Sequence, residues 1–351
     1  MDYFTGENIT DAFYNSLEAV CQKGVKFQTL RGKVKELTPV VINIKNPKNR
    51  CLVIPYRYNS IIANIAELLW TLAGRDDLYF MSKYLPQTSN YSLDGVTWRA
   101  AYGKRLTDWY GLNQIEAVLK NLKDNKYNRQ SIMNINDPAQ DLNTRQFRVP
   151  CNDFLQFVIT KENKLNLYVT MRANDVVWGF SGPNFFIWSV LQQMLSNWLD
   201  VEMGEYYQFV GSFDLFERHF KRAKNMLDNK LESDLYKRKI TKNAVVDVKH
   251  EDIYSDLDKV FAIEEKMDSV DDFIEIITDI KSLKSEFFGN CLKLLYCYKL
   301  ENKGDIEHFF ELWNLLPDDD FKLAAHEYFM RKAKGEIKSK LLNQFTLFKM
   351  E

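Results

Sequence analysis

The strongest constraint on the fold is a pair of β-rich runs around a polar turn at 154–175. The runs FLQFVIT and KLNLYVTMRAND alternate apolar and polar residues, and they meet at the polar segment Lys-Glu-Asn-Lys. Alternation with period two on both sides of a short polar turn predicts an antiparallel hairpin. A helical pattern at 184–200 and a strand pattern in YYQFVGSFDLF follow directly. The chain is therefore expected to build a sheet with helices packed against it.

Strand and helix patterns alternate through 1–225, and the character of the chain then changes. Helical spacing predicts helices at 8–24, 59–74 and 112–125, and a strand pattern covers 36–47. Nearly everything after 251 has the spacing of amphipathic helices. We predict an α+β domain at 1–225 and a mostly helical C-terminal extension at 226–351. Structural helices are favoured there over a separate binding module.

Composition argues against several classes of function. Lys and Arg total 47 and Asp and Glu total 48, so no global field draws the chain towards nucleic acid or an anionic membrane. The five cysteines lack CxxC metal-ligand spacing. No basic-then-apolar leader opens the chain, and its most apolar helical stretch, NFFIWSVLQQMLSNWL, is too short to span a bilayer. We expect a cytoplasmic protein with reduced thiols and with no metal, membrane or nucleic-acid partner.

Cys151 follows Pro150 immediately before the first β-rich run, and it admits two interpretations. A free cysteine is most often a small buried hydrophobe. It can also be a nucleophile, although its ordinary pKa of about 8.5 makes it a weak one near neutral pH. Arg172 lies downstream and could favour the thiolate or hold an anionic substrate. Spacing alone leaves both interpretations open.

Five motifs in order resemble those of the thymidylate synthase family over most of 25–219. They are an early phosphate-loop arginine (Arg31), Glu-Leu-Leu-Trp at 67–70, Tyr-Gly-Lys at 102–104, Pro-Cys at 150–151 with Gln156 downstream, and Arg-x-x-Asp-Val at 172–176. Gly179 and Asn184 resemble the loop glycine and asparagine that follow. One motif would be weak, whereas five in the family's order are specific. The fold implied is a thymidylate-synthase-like large mixed sheet with packed helices.

The resemblance implies a transferase that adds one carbon to C5 of a pyrimidine nucleoside monophosphate, with 5,10-methylenetetrahydrofolate as the donor. Cys151 would add to C6 of the pyrimidine, which makes C5 nucleophilic. Arg172 would face both the thiolate and the phosphate. Arg31, together with Arg129 of the partner subunit in a homodimer, would complete the phosphate site, because the guanidinium fork matches phosphate geometry.

The resemblance also assigns roles to five further residues. Glu67 would organise water and proton transfer, Tyr102 would lie near C5, and Asn184 would hydrogen-bond the base. Asp175 would meet the pterin, and Trp70 is placed with the cofactor. The alternatives are an exposed helix face for Glu67, the core for Trp70 and a helix N-cap for Asn184.

Several positions depart from the family pattern. Asn152 stands where the family has histidine, and we keep it among the substrate-binding residues. Gln130 replaces one of the paired arginines of the partner subunit, and Ala173 replaces a serine. In GSFDLF at 211–216, Asp214 and Phe216 replace the histidine and tyrosine that hold the sugar 3′-hydroxyl. Asp214 could accept hydrogen bonds from sugar hydroxyls, so a different sugar is expected, with ribose the simplest candidate.

A second departure concerns the reaction. Between Trp70 and Trp98 the chain has no tryptophan, whereas thymidylate synthases carry one there that favours hydride return. The related nucleotide hydroxymethylases let water capture the methylene, so hydroxymethylation is predicted. Asn184 alone suits uracil, yet an amide can present oxygen or nitrogen. The resemblance to the family's hydroxymethylases, which act on cytosine, slightly favours cytidylate over uridylate. CMP, dCMP, UMP and dUMP all stay open.

Two other functions are retained. A divergent thymidylate synthase would convert dUMP to dTMP and would release dihydrofolate. A catalytically retired nucleotide-binding protein is the third, and the joint presence of Cys151, Glu67 and Arg172 argues against it. The family's short closing tail is not recognisable in the helical C-terminal extension.

Overall fold

The computed structural model of the chain describes residues 1–142 and 149–342. The chain forms two compact units. The first comprises Met1–Arg57 with Ala66–Asp234, and the second comprises Tyr58–Ile65 with the residues from Leu235 onward. The domain boundary placed between residues 225 and 226 stays a prediction, and the last residues of the predicted extension, from 343, lie outside the described part.

The first unit contains both strands and helices, and the described residues after β8 and α8, up to Leu342, form helices as their only regular elements. In chain order the elements are β1 (Asp2–Gly6), α1 (Ile9–Lys23), β2 (Val25–Thr29), β3 (Gly32–Leu37), β4 (Val40–Ile44), α2 (Ile61–Leu72), α3 (Leu78–Tyr84), α4 (Tyr102–Thr107), α5 (Gln114–Asp124), β5 (Ile132–Asn134), α6 (Pro138–Asp141), β6 (Asn152–Ile159), β7 (Lys164–Asp175), α7 (Phe185–Trp198), β8 (Glu202–Phe216), α8 (Phe220–Asp228), α9 (Ile253–Ser269), α10 (Phe273–Lys281), α11 (Glu286–Lys303), α12 (Ile306–Asn314), α13 (Asp320–Lys332) and α14 (Gly335–Leu342). A 3-10 helix at Pro86–Tyr91, a π-helical segment at Val176–Asn184 and a 3-10 turn at Glu217–His219 complete the chain path.

One mixed sheet of eight strands organises the first unit. Its main order is β1-β4-β8-β7-β6-β5, and β3 pairs with both β8 and β2. The β1–β4 and β7–β8 pairs are parallel, and the other pairs are antiparallel. The predicted α+β fold with a large mixed sheet is confirmed.

The hairpin predicted at 154–175 is confirmed as β6 and β7. Asn163 takes a positive φ of 61° in the turn, a conformation that asparagine tolerates better than most residues. Alternate side chains such as Leu155, Phe157 and Leu167 are fully buried. This period-two burial fixes the register of the strands, because a one-residue slip would turn every apolar side chain outwards.

The helices predicted at 8–24, 59–74, 112–125 and 184–200 are confirmed as α1, α2, α5 and α7. The single strand expected over 36–47 is wrong. The chain there contains the end of β3 and all of β4, with Thr38 and Pro39 between them. Proline has no backbone N–H to give to a ladder, so it falls between strands.

Helices alone make up the part of the second unit that the structure describes after residue 250. Phe309 and Phe329 pack on Trp313 in its core. Lys299 makes a buried ion pair with Glu264 at 2.6 Å. The predicted helical character of the C-terminal part is confirmed through Leu342.

Candidate active site

Cys151 lies on the turn that leads into β6, and Arg172 of β7 holds that turn. The Arg172 guanidinium donates to the carbonyls of Pro150 at 2.8 Å and Val149 at 3.1 Å. Its Nη2 is 3.7 Å from Cys151 Sγ, and its backbone N–H donates to the Cys151 carbonyl at 3.0 Å. The two residues that the sequence paired are therefore in contact.

The electrostatic setting of the thiol is mixed. Burial raises the pKa of Cys151, and this outweighs the opposing effect of the Arg172 and Arg31 guanidinium groups. Arg31 lies in the tight turn between β2 and β3, so the structure brings it close enough to act on the thiol. The arginines favour the thiolate as expected, but in the unliganded protein they do not lower the pKa overall.

Tyr102 lies close to both Cys151 and Glu67. Burial raises the pKa of Tyr102 well above its ordinary 10, and the nearby Cys151 and Glu67 raise it further. The Asn152 backbone N–H faces the Tyr102 hydroxyl group and lowers its pKa slightly. Tyr102 is therefore a neutral phenol near neutral pH.

Glu67 is buried on α2, with 8% of its surface exposed. The alternative that Glu67 lies on an exposed face of its helix is therefore wrong. Burial raises the pKa of Glu67 to about 7. A carboxyl group with that pKa can hold or release a proton near neutral pH, as general acid–base chemistry requires.

Asn152 is fully buried, and its side chain faces the protein interior. Its Oδ1 accepts a hydrogen bond of 3.1 Å from the indole N–H of Trp188 on α7. The Trp188 ring lies 5.4 Å from the ring of Tyr102. The substrate contact expected for the Asn152 side chain stays a prediction, and Trp188 is a neighbour of the site that the sequence did not single out.

Asn184 stands at the start of α7, but its side chain does not cap the helix. Its Nδ2 donates to Asn174 Oδ1 at 3.1 Å, and Asn174 Nδ2 contacts Met171 Sδ at 3.2 Å. The N-cap alternative is wrong, because the amide is committed to Asn174. A Cβ on Gly179 would lie 2.1 Å from Asn174 Oδ1. Only glycine therefore leaves room for this pair.

Three carboxylates lie on neighbouring strands beside the site. Asp214 of β8 pairs in register with Glu36 of β3 and with Asp175 of β7. Asp175 Oδ1 accepts from the backbone N–H groups of Val177 and Trp178. Asp175 Oδ2 and Asp214 Oδ1 are buried and find no hydrogen-bond partner within 1–142 and 149–342.

The carboxylate row changes the protonation of Asp214. Burial raises the pKa of Asp214 to about 7, and the charges of Asp175 and Glu36 contribute to the rise. Near neutral pH this carboxyl group can both donate and accept a hydrogen bond. The sequence expected it only to accept.

Trp70 belongs to the core, with 2% of its surface exposed. Its indole N–H donates to the Asp77 carbonyl, and its ring packs on Trp98. The Tyr91 ring in turn stacks on Trp98, with the two ring centroids 5.0 Å apart and the planes 11° apart. The segment where the family's tryptophan is missing thus contributes an aromatic ring of its own, and the placement of Trp70 with the cofactor stays a prediction.

Arg129 lies on an exposed loop between α5 and β5. Its backbone carbonyl accepts a hydrogen bond from Gln156 on β6. The role predicted for its guanidinium, in the site of a partner subunit, stays a prediction.

Neither a metal centre nor a membrane span is found in the described residues. Among them, no cluster of three or more His, Cys, Asp or Glu side chains has the arrangement of a metal site. None of the helices between residues 1 and 342 is long and apolar enough to cross a bilayer.

The thymidylate synthase family model matches residues 11–266. The chain belongs to the thymidylate synthase family. The match contains every motif on which the resemblance rested, from Arg31 to Asn184, so the family prediction is confirmed. Helices α10 to α14 lie beyond it.

Relatives within the family include phage and archaeal proteins. The deoxyuridylate hydroxymethyltransferase of Bacillus phage SP01 is 33% identical over 224 residues, which cover 61% of this chain and 58% of that protein. The corresponding protein of Pseudomonas phage M6 is 28% identical over 63% of each chain. A putative thymidylate synthase of Methanothermobacter marburgensis is 26% identical over 64% of this chain and 96% of that protein. The chain thus spans about three fifths of the length of the phage relatives.

Proposed function

We propose that this thymidylate synthase family member hydroxymethylates C5 of a pyrimidine nucleoside monophosphate, with deoxyuridylate as the first candidate. The observation that carries the proposal is the contact between Cys151 and Arg172 beside a neutral Tyr102 and a Glu67 whose pKa is about 7. A nucleophile, its cation, a proton donor and an acid–base group are the parts that addition to C6 and release of the C5 proton require.

The reaction follows from the roles of these residues. The Cys151 sulfur forms a bond to C6, and the electron pair of the C5–C6 double bond moves to C5. C5 bonds to the one-carbon unit and gives its proton to the acid–base group, while the donor's amine takes the electron pair of the carbon–nitrogen bond that breaks. Water then adds to the exocyclic methylene carbon and releases a proton, the carbon–sulfur bond breaks and the thiolate returns. Arg172 stabilises the thiolate at the beginning and at the end of this sequence.

The choice of base follows from two observations. The two phage relatives are named for deoxyuridylate, which favours uracil over the cytosine that the sequence slightly preferred. Asn184 supports this choice, because its bond to Asn174 fixes the orientation of the amide. It keeps a carbonyl oxygen to accept the N3–H of uracil and a second N–H to donate to O4.

The proposed sugar is deoxyribose, and Asp214 is the residue proposed to bind its hydroxyl group. The relatives' names favour deoxyribose over the ribose that the sequence suggested. A carboxyl group with a pKa of about 7 can donate to a hydroxyl oxygen or accept from its proton. Asp214 therefore suits a sugar hydroxyl in place of the family's histidine and tyrosine.

The donor of the carbon unit is proposed to be 5,10-methylenetetrahydrofolate. The residues present fit it, because Asp175 Oδ2 is buried beside the site, has no hydrogen-bond partner among the described residues, and can accept from a pterin N–H. The folate supplies a carbon at the oxidation level of formaldehyde. Water capture at that carbon changes no oxidation state, so no dihydrofolate would form.

A divergent thymidylate synthase is the second candidate. The archaeal relative and the Tyr91–Trp98 stack favour it, since an aromatic wall at this place limits water entry. Hydride return would reduce the transferred carbon to a methyl group and would oxidise the folate to dihydrofolate. The two candidates therefore differ in both products.

A homodimer is part of the proposal, because in the family the phosphate site that Arg31 and Arg172 of one chain would form takes a further arginine from the partner subunit. Arg129 of the partner subunit would supply it. Mixing Cys151→Ala with Arg129→Ala chains should restore activity in heterodimers that hold one intact site. Absence of any restoration, with heterodimers shown to form, would remove Arg129 from the proposal.

The test is incubation of the protein with methylenetetrahydrofolate and each of UMP, dUMP, CMP and dCMP, followed by mass spectrometry. A dUMP product heavier by the mass of formaldehyde, without dihydrofolate, is expected. A product heavier by one methylene group, with dihydrofolate, would establish the second candidate instead.

Two cysteine variants control the test. Cys151→Ala should abolish turnover and any covalent nucleotide adduct while the protein stays folded. Cys21→Ala removes another cysteine that is not fully buried, on α1. This variant should keep both the turnover and the covalent nucleotide adduct. Full activity of Cys151→Ala would end the proposed mechanism.

A further inference from the structure

Trp188 is fully buried on α7 and touches two residues of the site at once. Its indole N–H donates to Asn152 Oδ1 at 3.1 Å, and its ring lies 5.4 Å from the Tyr102 ring with the planes 33° apart. Asn152 and Tyr102 are also neighbours of each other, since the Asn152 backbone N–H faces the Tyr102 hydroxyl group.

Asn152 is the chain neighbour of Cys151, so whatever fixes Asn152 fixes one end of the nucleophile's turn. Arg172 fixes the other side of that turn through the carbonyls of Val149 and Pro150. The strand pairing is irregular here, because the register shifts between Asn152 and Phe154. Ladder hydrogen bonds therefore constrain this point less than they constrain the rest of β6.

We propose that Trp188 is a positioning residue, which holds Asn152 through its indole N–H and thereby sets both the Cys151 turn and the direction of the Tyr102 hydroxyl. The proposal deepens the proposed function and rests on it for the catalytic consequence. Trp188 acts through Asn152 and Tyr102 and needs no contact with substrate.

The hydrogen bond is difficult to replace because of where it lies. Both Asn152 and Trp188 are 0% exposed, so water cannot take over the role of a lost partner. A buried acceptor that loses its donor retains its desolvation cost and relaxes by moving. At Asn152 such movement is transmitted directly to Cys151 and to the backbone N–H that orients Tyr102.

The decisive variant is Trp188→Phe, which keeps an aromatic ring against Tyr102 and deletes only the indole N–H and part of the ring volume. We expect kcat to fall about 10- to 100-fold while KM for the nucleotide changes little, because misplaced reacting groups slow the chemical step. The matched control is Trp109→Phe, which also deletes an indole N–H bond, to Asp137 at 2.7 Å. It should lower the melting temperature and leave kcat unchanged.

A second readout needs no substrate. Iodoacetamide labelling of Cys151, followed on its own peptide by mass spectrometry, should slow about 3- to 10-fold at pH 8 in Trp188→Phe, since a displaced turn loosens the Arg172 contact that favours the reactive thiolate. Labelling should be unchanged in Trp109→Phe. This measurement decides the positioning role even if the native protein turns over none of the four nucleotides, so the two proposals can fail separately.

A double-mutant cycle with Asn152→Ala separates the hydrogen bond from simple packing. If Trp188 acts through Asn152, the double variant should label Cys151 no more slowly than the slower single variant. Additive effects of the two substitutions would overturn the proposal. So would a Trp188→Phe protein that melts earlier but keeps the native labelling rate and kcat.

Discussion

At the scale of single residues, Gly179 shows how little space there is around Asn184, the amide proposed to bind the base. A Cβ there would meet Asn174 Oδ1 at 2.1 Å and Asn184 Nδ2 at 3.0 Å. Neither amide is at the end of a long flexible side chain, so one of them would have to move. The orientation of the Asn184 amide depends on its hydrogen bond to Asn174, so a substitution that displaces one amide also displaces the other.

Gly179→Ala should raise KM for the nucleotide about 10-fold or more, since a misplaced base-reading pair loses on the order of 1–3 kcal/mol. Gly182→Ala is the matched control in the same segment, because its Cβ would meet only the Arg57 guanidinium at an ordinary 3.5 Å. KM measured for both variants tests the prediction. Equal KM values for the two would contradict it.

Glu67 links the site to the stability of the fold. In the unfolded chain its carboxyl group has its ordinary pKa of 4.5, and in the folded protein burial raises the pKa to about 7. Between these values the folded state keeps a proton that the unfolded state has released. The free energy of unfolding therefore falls as pH rises through this window.

Glu67→Gln should remove this pH dependence. Relative to the native protein, the variant should gain about 3 kcal/mol in free energy of unfolding between pH 4.5 and pH 8, because each pKa unit corresponds to about 1.4 kcal/mol. Denaturant titrations of both proteins across this range measure the difference. A difference that stays constant with pH would show that Glu67 is not the group responsible.

At the scale of secondary-structure elements, an ion pair fixes the short helix that presents Tyr102. Arg105 of α4 is fully buried and makes two bonds to the Asp141 carboxylate of α6, at 2.6 and 3.0 Å. A six-residue helix has little stability of its own. Its position therefore depends on such tertiary contacts.

Asp141→Ala should destabilise the protein by about 3–5 kcal/mol, because it leaves the Arg105 charge buried and unpaired. Asp108→Ala removes the partner of Lys104 in a solvent-accessible ion pair at the C-terminal end of the same helix and should cost about 0.5 kcal/mol or less. Thermal or denaturant unfolding of the two variants gives the comparison. Similar losses in both would refute the structural role of the buried pair.

At the scale of the whole molecule, residues 58–65 tie an early segment to the C-terminal helices. Tyr58–Ile65 belongs to the same compact unit as the helices from α9 onward. Within that unit Arg331 of α13 donates to the Asn59 carbonyl at 2.8 Å and lies 5.2 Å from the Tyr58 ring centroid. The same segment leads into α2, the helix of Glu67.

A chain truncated after residue 225 should therefore fail to fold cooperatively, because Tyr58–Ile65 would lose the C-terminal helices with which it forms a compact unit. Size-exclusion chromatography and a circular dichroism melt of the truncated chain, beside the full chain, test this. A monodisperse fragment with the native melting temperature would instead show that the 226–351 extension is a separable module.

Much of the fold and part of the site could be predicted from residues close together in the sequence. The β6–β7 hairpin and the helices α1, α2, α5 and α7 follow from apolar periodicity, which is a local property. The pairing of Cys151 with Arg172 followed from motifs on two strands of one hairpin. The break at Pro39 was missed, although proline's missing N–H was visible in the sequence.

The sequence by itself determined the family, the hairpin and the candidate residues of the site, because periodicity and motif spacing are written along the chain. Only the tertiary structure decided that Trp188 reaches Asn152, that Asn174 holds Asn184, and that Glu36, Asp214 and Asp175 form one row. Each of these contacts joins side chains on separate elements, and each depends on burial. Strand order, register and the exclusion of water arise only when the whole chain packs, so no local pattern contains them.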